Sequence, residues 1–158
     1  MSIIDKFGTV VGQKAMTDPE KARQLLLTGY RLQAQRLKFF PDKTLPSSGQ
    51  YVARVVMNNM IQALSQPENA AMVSIFVPGE LLTAAGLTPY SVEALSCFLA
   101  GTKCEQPFLH QTEEEGFPET MCSYHRVFLG SALTGLVSRP KCTIYTNLAC
   151  DGNMMTFP

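Results

Sequence analysis

Two short β-rich runs, Met72–Val77 (MVSIFV) and Cys142–Asn147 (CTIYTN), stand apart with residues 78–141 between them, and that interval reads as a succession of helix starts and stops. A hairpin needs only a few linking residues, whereas a long helical connection joins parallel strands by a crossover. The pattern therefore predicts an α/β fold: a parallel sheet flanked by helices. MVSIFV is almost wholly apolar and closes at Pro78-Gly79, as a strand buried on both faces should. In the interval, Glu80–Ala85 makes a short helix stopped by Gly86. Ser91 caps a helix over Val92–Ala100, which Gly101 ends. Another helix spans Pro107–Glu115 before Gly116, and a longer one runs from Ser123 to Val137, opened by Cys122 and closed by Arg139-Pro140.

Before Pro67 the sequence reads helical throughout, so residues 1–67 are expected to form a helical N-terminal extension and residues 68–158 the α/β domain. Asp18-Pro19-Glu20 is a helix start: a capping oxygen, a pre-set φ, and a carboxylate at the positive helix end. That helix runs to Phe39 or Phe40 and is halted by the segment PDKTLPSSG. A second helix covers about Gln50 to Ser65, with Val52, Val55, Val56, Met60 and Leu64 on one face. Two strands make a poor sheet on their own, and the second stands so near Pro158 that no helix is expected behind it. The chain is therefore expected to be incomplete, its sheet continuing elsewhere.

Composition excludes several classes. With 46% hydrophobic and 16% charged residues, the chain is not a disordered one. Thirteen Lys and Arg balance thirteen Asp and Glu, so it lacks the basic excess that non-specific nucleic-acid binding needs. No apolar run approaches the roughly 18 residues of a membrane span. Residues 1–14 lack the charged start, apolar core and small-residue site of a secretory signal. A cytoplasmic protein is expected, its five cysteines serving as thiols, metal ligands or core residues.

Two cysteines stand where chemistry gathers. Cys122 precedes a helix, in Met121-Cys-Ser-Tyr-His-Arg126, where free N–H groups and the positive helix end favour a thiolate, and Arg126 one turn on adds positive charge. Cys150 follows CTIYTN, in Asn147-Leu-Ala-Cys-Asp-Gly-Asn153, beyond the carboxyl end of a strand, where open sheets bind ligands. The loop after Val77 leaves the same edge and brings Glu80 toward it. Each residue also has a plainer reading. Cysteine is a common core residue, and Cys97 and Cys142 are expected to be packing, with Cys104 in a loop. Glu80 can simply favour a helix N-terminus, and His125 on a first turn is more often a surface or capping residue. Glu113-Glu114-Glu115 reads as a solvated face, and the eight Met residues as packing. A Cys122–His125 hydrolase pair would sit on one helical turn, unlike dyads drawn from separate elements. A zinc site from Cys122, His125, Cys142 and Cys150 lacks tight CxxC pairs.

The stretches FVPGELLTAAGLTPY (Phe76–Tyr90), MCSYHR (Met121–Arg126) and NLACDGN (Asn147–Asn153) resemble, in order, the 2-hydroxyacyl-CoA dehydratase subunits, the D-component family exemplified by 2-hydroxyglutaryl-CoA dehydratase. The resemblance covers Val73–Phe157. It implies a Rossmann-like subunit whose cysteines hold a [4Fe–4S] cluster, with Cys122 and Cys150 as two ligands and Glu80, in the Pro-x-Glu motif, binding the hydroxyl or moving a proton. An open iron would act as a Lewis acid on the thioester carbonyl. The implied partners are a second dehydratase subunit, an ATP-dependent iron–sulfur activator that supplies one electron, and an acyl-CoA substrate that loses its hydroxyl through a ketyl radical. Neither a GxGxxG nor a GxxxxGK motif occurs, so ATP hydrolysis should belong to the other protein. The third family cysteine comes from a later domain, unless Cys97 or Cys104 substitutes. The same scaffold also admits a non-catalytic iron–sulfur or scaffold subunit, and a double-cubane-type reductase of small molecules.

Overall fold

The computed structural model describes residues 2–148 and 150–157. Three helices come first: α1 (Ile3–Thr17), α2 (Pro19–Phe39) and α3 (Ser47–Ser65). Ser2 and Asp5 cap α1 reciprocally, each side chain accepting from the other's backbone N–H. Asp18 accepts from the Lys21 N–H and Pro19 begins α2, as the sequence indicates. Helix α3 starts three residues earlier than expected, because a first turn tolerates Ser-Ser-Gly after Pro46. The Gln50 side chain ties the preceding loop down through the Asp42 N–H and carbonyl, at 2.8 Å each. Its buried face is Met57, Met60, Ala63 and Leu64, while Val52 and Val55 are exposed. The expected apolar stripe thus holds only over the C-terminal half, where α3 packs on α2 and the sheet.

The remaining elements are β1 (Ala70–Val73), α4 (Gly79–Ala84), β2 (Thr88–Ser91), α5 (Val92–Gly101), α6 (Gln106–Glu114), α7 (Ser123–Leu133), β3 (Cys142–Ile144) and α8 (Gly152–Thr156). The described strands form one parallel sheet in the order β2-β1-β3. This is the α/β architecture the two β-rich runs predict, with three differences. Strand β1 begins at Ala70 and ends at Val73, so Ile75 and Phe76 are exposed loop residues and not strand. Alanines have little β preference, but every residue of β1 is buried and small side chains suit its crowded position. Strand β2 was not expected: its Pro89 cannot donate to a ladder, which an edge strand tolerates. Finally, β3 stops at Ile144, and a short helix, α8, does follow it and packs on α7.

The main core joins residues on both sides of position 67: Val11, Leu26, Met60, Met72, Leu99 and Phe108 belong to one buried cluster. A smaller cluster of Ala71, Val73 and Leu82 covers the opposite face of β1, against α4. Gly86, at φ +76°, takes the left-handed conformation that stops α4. Gly130 lets α7 lie directly on α6, since a Cβ there would collide with the Phe108 carbonyl. Phe157 is buried and stacks on Tyr145 with ring centroids 5.0 Å apart. Among the described residues no helix is long and apolar enough to cross a membrane.

Candidate functional site

In this strand order the chain leaves β1 toward β2, while β3 lies on the other side of β1. The loops after β1 and β3 therefore diverge and open a crevice at the carboxyl edge, the usual ligand position in such sheets. Ser74, fully buried, stitches the crevice at its base. Its N–H donates to the Ile144 carbonyl at 3.3 Å, and its Oγ accepts from the Thr146 N–H at 3.2 Å. Asn153, also fully buried, donates from Nδ2 to the Thr146 carbonyl at 2.7 Å. Across the crevice, Glu93 in the first turn of α5 accepts from the Ile75 N–H at 3.3 Å. Among the described residues three buried oxygens in this region have no hydrogen-bond partner: Glu93 Oε2, Thr146 Oγ1 and Asn153 Oδ1. A buried group left so costs about 1–3 kcal/mol.

Beside them lies a thiol–imidazole contact. Cys150 Sγ is 3.5 Å from His125 Nε2, and His125 Nδ1 is 2.7 Å from Thr156 Oγ1. The Thr156 hydroxyl donates to the Gly152 carbonyl at 2.8 Å, so it can only accept from His125. That assigns the ring proton to Nδ1 and leaves Nε2 to accept from the Cys150 thiol. Burial holds the His125 pKa below its ordinary value, against the opposing pull of the Glu93 carboxylate. Gly152 is required by the ring: a Cβ there would lie 2.5 Å from His125 Cδ2. His125 is thus a buried partner of Cys150, where the sequence suggested a surface or capping residue, and its thiol comes from a separate element and not from Cys122.

Cys122 is the N-cap residue of α7 and is exposed, with no side-chain cap bond to the first turn. Its turn is held against α5 by the Ser96 hydroxyl, which donates to the Tyr124 carbonyl at 2.6 Å. Arg126 does not serve it as a free positive charge. The guanidinium is buried, paired with Glu113, and donates to the Glu119 carbonyl at 3.1 Å. Glu113 is correspondingly a structural partner and not part of a purely solvated face. The other cysteines exchange their expected places. Cys97 is exposed beside the Tyr124 phenol, whose pKa it raises, with a smaller push from burial and from Cys122. Cys104 is buried at the far end of α5, donating to the Leu99 carbonyl, and burial pushes its thiol up to about 11. Cys142 is half-buried in β3.

Glu80 is exposed in the first turn of α4, whereas Glu93 is the carboxylate whose contacts reach the crevice. No local motif announces Glu93; a Glu two residues after a capping Ser reads as an ordinary helix start. As cluster ligands, the Cys150 thiol at this edge and the exposed Cys122 thiol match in kind, since soft thiolates suit iron–sulfur centres. They fall short in number: among the described residues no group of three or more His, Cys, Asp or Glu could hold a metal ion.

The family model described as 2-hydroxyglutaryl-CoA dehydratase, D-component, matches residues 74–158. No curated protein and no solved structure matches the chain.

Proposed function

The chain belongs to the 2-hydroxyglutaryl-CoA dehydratase D-component family, and from that premise we propose that it is a subunit of an enzyme that removes water from a 2-hydroxyacyl-CoA. The observation that carries this reading is the meeting of two of the three separated stretches, where His125 of MCSYHR contacts Cys150 of NLACDGN. Ser74, two residues before the first stretch, bonds Thr146, the residue before the third.

In this reading Cys122 and Cys150 are two thiolate ligands of a [4Fe–4S] cluster, and further ligands come from outside the described residues. The cluster, when bound, supplies a one-electron couple and a Lewis-acidic iron for the thioester carbonyl. The chain's own residues do the positioning. Thr156 fixes the His125 ring, the ring stands against the Cys150 sulfur and would no longer receive its proton once that sulfur is a thiolate, and the Ser74–Thr146–Asn153 chain holds the loop in which the sulfur stands. Glu80, from the Pro78-Gly79-Glu80 motif, is the proposed group for the substrate hydroxyl or a proton. A second related subunit and an ATP-dependent iron–sulfur activator are the proposed partners, and the cytoplasm the proposed compartment. The shortage of donors at this edge favours one alternative, a supporting subunit that completes a partner's site.

The test uses protein purified anaerobically from its own host with its associated subunits. Supplied with ATP, a reductant and a panel of 2-hydroxyacyl-CoA thioesters, it should yield the 2-enoyl-CoA by mass spectrometry. Activity should fall at least a hundredfold with Cys150→Ser. A preparation that forms no enoyl thioester from any member of the panel would count against the reading.

A further inference from the structure

On the side of β1 away from β3, a cleft of about 300 Å³ opens between α3, the carboxyl ends of β1 and β2, and the start of α5. Its walls are mostly apolar, with Val56 and Met60 from α3, Val73 from β1, and Val77, Pro89 and Ala94 around the mouth, and the polar members Asn59, Tyr90 and Ser91 carry no charge. Its floor shares Ser74 and Ile75 with the crevice of the candidate site. Ligand sites span roughly 300–1,000 Å³, so this volume suits a short acyl group, with the bulk of a CoA thioester left outside.

None of the described residues lining the cleft is charged. A carboxylate, Glu93, is held on the Ile75 N–H at its margin, and it would repel a second negative charge. A carboxylate moved into such a cleft loses its water without gaining a cation. An alkyl chain loses nothing and buries apolar surface.

We infer that this cleft seats the acyl chain of the substrate, and that it selects an aliphatic 2-hydroxyacyl group over a dicarboxylic one. The inference rests on the dehydratase reading above and sharpens its substrate class. The 2-hydroxyglutaryl group, named in the family's description, carries the second carboxylate that this cleft does not accommodate.

Isothermal titration of the full chain with 2-hydroxyhexanoyl-CoA, 2-hydroxyglutaryl-CoA and free CoA tests it. The aliphatic thioester should bind at least tenfold more tightly than the dicarboxylic one. Ala94→Phe, which fills the mouth, should weaken the aliphatic thioester at least tenfold and leave free CoA unchanged. Val56→Lys, on the half-exposed wall, should narrow or reverse the preference by adding a cation, and it stands in if Ala94→Phe does not fold. Equal or reversed affinities in the unaltered chain overturn the inference, as does a preference indifferent to Val56→Lys. If neither thioester binds better than free CoA, the cleft is not an acyl seat. The iron content of the same protein, measured separately, then tells whether the dehydratase reading itself survives.

Discussion

The His125 ring fits between Cys150 and Thr156 only because position 152 has no side chain. One residue without a Cβ therefore decides where a thiol three positions from Asn153 points. The consequence is measurable. Gly152→Ala should push the ring from its place and cost about 1–3 kcal/mol, the usual range for overpacking a filled site. Denaturant unfolding checks the cost, and the alkylation rate of Cys150 checks the change at the thiol. A variant within 0.5 kcal/mol of the parent, with unaltered Cys150 reactivity, would mean that the ring is held some other way. At this scale much of the site escaped the sequence. Cys122 and Cys150 were legible because each stands at an element boundary, and boundaries leave local marks. Glu93 and the role of His125 were not, since their partners lie 18 and 25 residues away and nothing local signals such contacts. Cys97 misled for a related reason: in the apolar run ALSCFLA its own helix looks buried all round, yet the thiol faces outward toward Tyr124.

Among the elements, those with strong local punctuation were legible. Asp18-Pro19 opens α2 and Ser91 opens α5, its Oγ accepting from the Ala94 N–H; Gly86 closes α4. The strands were harder. Ala70-Ala71 carries no β signal, and its place in β1 comes from burial between two neighbours. Thr88–Ser91 contains a proline and pairs only because β1 offers it an edge. Tertiary context decided both, as it commonly does for short strands. The packing of α7 on α6 depends in the same way on contact across the chain. Gly130→Ala would drive a methyl into the Phe108 carbonyl, and the two backbones can separate only by opening the core around Phe108. Helix propensity favours the alanine by about 1 kcal/mol, but the collision outweighs it, and a net loss of about 1–3 kcal/mol is expected. Thermal unfolding reads the sign directly: a raised midpoint would show that α7 has room to spare.

For the whole molecule, the sheet alone would be too small to stand. Its three described strands are short, and α4 covers one face with only a minor apolar cluster. Stability comes from the other face, where α1 to α3 and α5 to α7 share one core with β1. The N-terminal helices also shape function, because α3 forms a wall of the cleft beside the crevice. The strand order then does the rest, spreading the loops after β1 and β3 so that Glu93, His125 and Cys150 gather on one edge with Cys122 at the head of α7. The proposed function requires an iron–sulfur cluster held through Cys122 and Cys150. Its test is the iron and acid-labile sulfide content of the anaerobically purified protein together with its associated subunits. A brown protein with about four irons per cluster is expected, with most of that iron lost in Cys122→Ser and in Cys150→Ser, and iron retained in Cys104→Ala. A colourless protein, or iron that survives replacement of both Cys122 and Cys150, would sink the proposal.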